Sequence, residues 1–272
     1  MIENRYFTEK LSAEEKQAVQ ELRFKIEENG IAHKLDLNYL DSEEQSSHHL
    51  LLWRKKRLVG YAWLSTFAPR ELEATLLLLE GEDSFQMVND LRKYCQDRQI
   101  EQCLLIVDHQ YKKLVEIMEQ AECRYDCSEA YMELEQEYFK QKALSTVQFE
   151  KGTLDQAEEI ARFMNEGADY SLSADDLEHT LLYKEGEELL ACLRVDQVDG
   201  RFGIYGLVVN PEHRGQGIGR TVLSTAIQEI LTKKPEQIYL EVATTNHRAH
   251  QLYQSLGFQD KVVFDYYRIE LI

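Results

Sequence analysis

Along the second half of the chain the spacing of apolar positions changes period several times, and each change marks an element. Val147-Gln148-Phe149 reads as a short strand. Ala157, Ile160, Ala161 and Met164 then fall at helical intervals and predict a helix from about Leu154 to Asn165. A weaker helix is predicted near Ala174 to Leu181. Leu181-Leu182-Tyr183 and Leu189 to Val195 flank the turn Lys184-Glu185-Gly186-Glu187, which is a hairpin pattern. Asp199-Gly200 is a second turn, followed by an apolar strand from Phe202 to Val209. Ile218, Val222, Ala226 and Ile230 recur every fourth residue, in a helix that ends before Pro235. Ile238 to Val242 is the next strand. Ala249, Leu252, Tyr253 and Leu256 form the apolar stripe of a helix from Asn246 to Leu256, and Gly257 stops it. Late strands are predicted at Val262-Val263 and from Tyr266 to Ile272.

The first half repeats this order. Leu50 to Trp53 and Leu58 to Leu64 flank the turn Lys55-Lys56, and Leu72 to Leu79 is an apolar strand. Ser84 to Gln96 is helical, Cys103 to Val107 a strand, Tyr111 to Glu122 a helix, and Tyr131 to Leu134 a closing strand. Repetition at a spacing of roughly 135 residues predicts two domains of one fold. The fold class is α/β (α+β), each domain a mixed, mainly antiparallel sheet flanked by helices. The expected domains are residues 1–140 and 141–272, with the seam near Phe139 to Ser145. That seam is not rich in Pro or Gly, which implies a short linker.

Composition removes several function classes. With 43% hydrophobic and 29% charged residues, the 272-residue chain is not disordered. Its 49 acidic residues against 31 basic ones, a net charge of -18, repel phosphate backbones and argue against nucleic acid as a partner. The first ten residues are polar, and no apolar run approaches the roughly 20 residues of a membrane helix, so neither a secretory signal nor a membrane partner is expected. Of the five cysteines, Cys95, Cys103, Cys123, Cys127 and Cys192, only Cys123 and Cys127 lie close together, and no second pair completes a zinc site. No metal is expected, and free thiols fit a reducing cytoplasm.

The chemistry-bearing stretch is Leu207-Val208-Val209-Asn210-Pro211-Glu212-His213-Arg214-Gly215-Gln216-Gly217-Ile218-Gly219-Arg220. A strand runs into a Gly-rich turn, and the turn opens a helix. Alternating glycines let a ligand approach the backbone amides, and a helix N-terminus offers unpaired N–H groups with a partial positive charge. In so acidic a chain this is where an anion can still bind, helped by Arg214 and Arg220. A Walker loop needs Gly-Lys-Ser/Thr, which is missing here. The dinucleotide fingerprint needs a glycine where Arg220 stands and an early place in a parallel βαβ unit.

The third match is the pyrophosphate loop of the GNAT (Gcn5-related) N-acetyltransferases, Arg/Gln-x-x-Gly-x-Gly/Ala, which Arg214, Gly217 and Gly219 fit. A second segment, Leu240-Glu241-Val242 followed by Asn246, Ala249, Leu252-Tyr253 and Gly257-Phe258, resembles the family's other cofactor-binding motif. The resemblance covers roughly residues 146–272 and implies two GNAT-type domains, the second intact. It implies acetyl-CoA as co-substrate, with Leu207, Val208 and Val209 along the pantetheine arm. Backbone amides of Gln216, Gly217, Ile218, Gly219, Arg220 and Thr221 would hold the diphosphate, and Asn246 would reach the pantetheine or diphosphate. An Asn at that place also serves as a helix N-cap.

Transfer to an amine needs a proton removed from the nucleophile and one supplied to the thiolate. The resemblance makes Tyr253 the acid. Glu241, twelve residues before it, is the base candidate at the spacing of the family's N-terminal-alanine enzymes. A free Glu lies about 6 units below an alkylammonium, so raised Glu basicity, a water relay or a lowered amine pKa must help. His213, His247 and His250 read as solvated residues flanking the motifs. No cysteine lies in either motif, which favours direct attack on the thioester. The acceptor is a small-molecule amine, a protein N-terminus or a lysine. The alternative is a CoA-responsive sensor or scaffold without turnover. In the first half, Ile106, Tyr111 and Met118 stand where Glu241, Asn246 and Tyr253 stand in the second. Glu80-Gly81-Glu82-Asp83-Ser84 replaces the anion loop, so that half is read as a degenerate copy unable to hold acetyl-CoA.

Overall fold

The structure, a computed structural model, describes residues 4–35, 48–66, 70–79, 84–139, 147–164 and 172–271. The acidic run at 80–83, the seam at 140–146 and the loop at 165–171 lie outside the described residues. Two compact units emerge: Met1–Glu129 with Val262–Ile272, and Ala130–Lys261.

The first unit opens with two elements the apolar pattern did not single out, β1 (Asn4–Thr8) and α1 (Ala13–Glu28). A local signal for α1 was present: Ser12 accepts from the Glu15 amide while Glu15 reaches back to the Ser12 amide, a reciprocal cap. Val19, Leu22 and Ile26 then face the core at helical spacing. β2 (His48–Arg54) and β3 (Arg57–Ser65) form a hairpin whose turn, Lys55-Lys56, is left-handed at both residues (φ 48° and 61°). β4 (Glu71–Leu78), α2 (Ser84–Asp97), β5 (Gln102–Asp108) and α3 (Lys112–Gln120) follow. The strand order is β1-β2-β3-β4-β5 and then the last strand of the chain. One sheet face is covered by α1 over Leu51, Tyr61, Trp63 and Leu77, the other by α2 and α3 over Leu50, Leu64, Ala74 and Leu105.

Within this unit β4 and β5 run parallel from Glu71↔Gln102 to Thr75↔Ile106, and β4 keeps unbroken register with β3 through Leu78. Tyr111, buried at the start of α3, donates its hydroxyl to the Leu78 carbonyl at 2.9 Å. The strand end beyond the last β5 pair is therefore occupied from within the unit.

The chain crosses between units along β6 (Arg124–Leu134) and again along β12 (Phe258–Arg268). β12 is one continuous strand where two late strands were expected. Its pairing with β5, Phe264↔Asp108 to Arg268↔Leu104, places its residues from Val262 onward in the first unit. Long-range pairing thus draws the C-terminal residues away from a plain division at residue 140, which local composition does not record.

In the second unit β7 (Glu150–Lys151) lies just after Val147–Phe149, which are not a strand. α4 (Ala157–Met164) and α5 (Ala174–His179) follow, then the hairpin β8 (Thr180–Glu185) and β9 (Glu188–Val198). β10 (Arg201–Val209), α6 (Ile218–Thr232), β11 (Gln237–Ala243) and α7 (His247–Leu256) complete it. The order is β6-β11-β10-β9-β8-β7, antiparallel at β7/β8, β8/β9 and β9/β10 and parallel at β10/β11. α7 ends where Gly257 takes φ 108°, and a Cβ there would sit 2.9 Å from the Tyr138 backbone.

Candidate active site

The site begins with a defect in β10. Its register with β9 runs from Arg201↔Val198 to Tyr205↔Arg194 and resumes at Val208↔Cys192. Two residues on β10, Gly206 and Leu207, therefore stand against one on β9, Leu193, a bulge made possible by Gly206 at φ 56°. Pairing with β11 stops at Ile204↔Leu240. Beyond that pair β10 stays with β9 and parts from β11, so Leu207, Val208 and Val209 have no β11 partner. Tyr205 and Glu241 are the first residues past the fork.

The loop after β10 turns within one short 3₁₀ stretch, Pro211–His213, where Asn210 Oδ1 accepts from the Glu212 amide at 3.1 Å. Gly215 and Gly217 both sit at φ 87°. Gly217 is the N-cap of α6, and no side chain caps the helix. The first amides of α6 lack carbonyls one turn earlier, so they and the helix dipole favour negative charge there. Nothing lies within 4 Å of a Cβ built on Gly217, so its backbone angle, rather than crowding, requires glycine. Gly219 is different: a Cβ there would meet Val209 Cγ2 at 3.3 Å, which holds α6 close to the strand.

Strand, loop and the start of α7 enclose a cleft of about 520 Å³. It contains the sequence-predicted Leu207, Val208, Val209, Arg214, Gly217, Ile218, Gly219, Arg220, Asn246 and Tyr253. Gln216 and Thr221 flank it without lining it; the Thr221 hydroxyl turns back to the Gly217 carbonyl at 3.3 Å. Asn246 both lines the cleft and caps α7, its Oδ1 accepting from the Ala249 amide at 3.2 Å.

Arg214 Nε donates to the Val209 carbonyl at 3.0 Å, and Arg220 donates to Ser255 Oγ at 2.6 Å, so both guanidinium groups are steadied at the rim. The motifs alone did not identify Arg248 as a third guanidinium, although it stands two residues after Asn246. His213 also lines the cleft and pairs with Glu188 at 2.9 Å, while His250 pairs with Asp260 at 2.7 Å on the surface. The site gathers positive charge in a chain of net charge -18.

Tyr253 is buried on α7, its ring edge-on to Phe258 at 6.1 Å. Burial pushes its phenol up to about 12, so it carries its proton at neutral pH. Glu241 does not line the cleft. It is half-buried at the fork, on the β11 face that also carries Tyr239. Among the described residues no group of three or more His, Cys, Asp or Glu could hold a metal, and no helix is long and apolar enough to cross a membrane.

The acetyltransferase (GNAT) family model matches residues 128–258. The [ribosomal protein bS18]-alanine N-acetyltransferase of Escherichia coli (strain K12) is 33% identical over 60 residues, which is 22% of this chain and 40% of that protein. Thialysine N-epsilon-acetyltransferase of Bos taurus is 43% identical over 54 residues, 20% of this chain and 32% of its own length. The chain thus spans 40% or less of these two curated relatives. A GCN5-related N-acetyltransferase from Sphaerobacter thermophilus superposes with a TM-score of 0.78 at 16% identity, over 97% of this chain and 96% of that one. A tandem GNAT protein from the clavulanic acid biosynthesis pathway gives 0.70 at 11% identity over 99% of both chains. The fold along the whole chain is that of tandem GNAT structures, and its C-terminal half carries the acetyltransferase domain of the GNAT family.

Proposed function

We propose that the second unit transfers an acetyl group from acetyl-CoA to a primary amine by direct attack on the thioester. One observation carries the reading. A bulged strand forks from its parallel neighbour and leads into an uncapped helix N-terminus, in one cleft lined by three arginines. The amides of α6 with Arg214, Arg220 and Arg248 suit a diphosphate. The open edge of Leu207, Val208 and Val209 suits an amide-bearing arm. Acetyl-CoA supplies an activated acyl group when bound. The Tyr253 hydroxyl donates a proton to the departing sulfur. Glu241, at the fork, takes the ammonium proton, directly or through water. The acceptor is a small-molecule amine or the amine of a protein N-terminus or lysine, and the working compartment is the cytoplasm.

Release of free thiol from acetyl-CoA, measured over a panel of amines, tests the reading. One amine that accelerates release, with its acetylated product found by mass spectrometry, supports it. Tight CoA binding with no amine turned over would overturn it in favour of a CoA-binding sensor.

A further inference from the structure

The strands at the fork have two unlike faces. Phe202 and Ile204 of β10, with Ile238 and Leu240 of β11, are buried. α6 packs on β10, its Lys233 Nζ lying 5.4 Å from the centre of the Phe202 ring. That face is closed. Alternation puts Arg201, Gly203 and Tyr205 of β10 on the other face, with Arg194 and Asp196 of β9 and Tyr239 and Glu241 of β11.

Tyr205 is held there in an unusual way. A Cβ built on Gly203 would come within 2.5 Å of the Tyr205 hydroxyl and 2.6 Å of its ring. The ring therefore lies back along its own strand, on ground that only a glycine leaves open. Its hydroxyl meets the Tyr239 hydroxyl at 3.0 Å, and the Arg194 guanidinium sits 5.2 Å from its ring centre. Arg194 is itself fixed by Asp176 at 2.6 Å and Asp196 at 2.9 Å. Held from three sides, this ring stands at the first β10 position beyond the last β10/β11 pair, beside Glu241.

We propose that Tyr205 is the residue that selects the acceptor. Its ring, seated on Gly203 and tied to Tyr239, walls the polar side of the fork, so that slender aliphatic ammonium groups reach it and α-branched or aryl-bearing amines do not. The charges on this face agree with a cationic acceptor. Asp176, Asp196 and Glu241 stand against Arg194 and Arg201, and the two arginines are engaged over the Tyr205 and Tyr239 rings. The inference rests on the acetyltransferase reading of the same site.

The test compares kcat/KM for n-butylamine and for α-methylbenzylamine, with acetyl-CoA affinity measured separately by calorimetry. Tyr205→Ala should raise the branched-to-linear ratio by about tenfold, the scale on which apolar pocket walls discriminate. Gly203→Ala keeps Tyr205 but unseats its ring, and should move the ratio in the same direction. Tyr205→Phe keeps the ring and the packing while cutting the tie to Tyr239. It should give a smaller rise, and it covers the case in which the other two variants fold poorly. Acetyl-CoA affinity should change less than about threefold, since the cleft residues are untouched. A merely structural Tyr205 would lower both rates together and leave the ratio where it was; that result overturns the proposal while the acetyltransferase reading stands. Wild-type protein that turns over no amine overturns both.

Discussion

A buried phenol at about 12 looks like a poor proton donor for a thiolate whose conjugate thiol has a pKa near 8.5, an uphill gap of roughly 5 kcal/mol. Desolvation that raises the phenol also raises a thiol enclosed against it, so the gap narrows to the extent that bound acetyl-CoA shuts solvent away from its sulfur. Tyr253→Phe keeps the ring against Phe258 and removes only the hydroxyl. Single-turnover kinetics with a working amine should show a fall of about 10²–10⁴-fold in the chemical step with little change in acetyl-CoA affinity. A variant keeping more than half of wild-type turnover would remove Tyr253 from the proton path. Gly217→Asp acts on binding instead. It sets a carboxylate at the mouth of the anion site and forces a side chain onto φ 87°. The variant should stay folded by circular dichroism yet show no measurable CoA binding by calorimetry.

The bulge in β10 is an element-scale device, because it turns the strand edge from β11 toward the cleft. Gly206→Val puts a β-branched residue into the left-handed region, at a cost of about 1–2 kcal/mol, and its Cβ presses on Met164. Straightening the bulge relieves that strain and closes the fork. Acetyl-CoA affinity should therefore fall by at least about tenfold, more than the loss in melting temperature alone accounts for. The β2/β3 hairpin carries a different liability. His49 is buried and shares a hydrogen bond of 2.8 Å with the Tyr61 hydroxyl. Burial first, then the charges of His48 and Lys16, hold its pKa down to about 4, against an opposing pull from Glu15. The unfolded chain takes up this proton near pH 6.5 and the folded one only near 4. Stability is thus complete above about 6.5 and is lost as pH falls toward 4, by roughly 3 kcal/mol in all. Urea melts from pH 7 to 4 should show a shallower loss in His49→Gln, which does not titrate.

For the whole molecule the two units differ at the strand that precedes the loop. In the second, β10 leaves register and opens its edge; in the first, β4 keeps register and Tyr111 satisfies the Leu78 carbonyl. Calorimetry should therefore find one acetyl-CoA site per chain, and Gly217→Asp should abolish it entirely rather than halve it. Two equivalent sites would show that the first unit also accepts the cofactor.

Local order was legible because local physics sets it. The helical period of Ile218 to Ile230, the stop at Gly257, the Lys55-Lys56 turn and the Gly-rich loop each depend on neighbours within a turn or two. For that reason residues that line one cleft, Arg214, Gly217 and Tyr253 among them, could be named from the chain alone. β1 carries no clear period in its five polar-rich edge residues, and α1 shows only the narrow apolar stripe of Val19, Leu22 and Ile26 among charged residues. The remaining features depend on how side chains and separate segments meet in three dimensions. The bulge exists only relative to β9, and the fork only where β11 stops pairing. Arg248 joins the cleft because α7 starts beside the loop, and the Tyr205 ring finds its seat because Gly203 lies beneath it. The Val262–Ile272 segment belongs to the first unit because β5 offers it an unpaired edge. Pairing of this kind is decided between separate segments, from the adjacent strands β9 and β10 to the distant β5 and β12, and no periodicity within either segment records it.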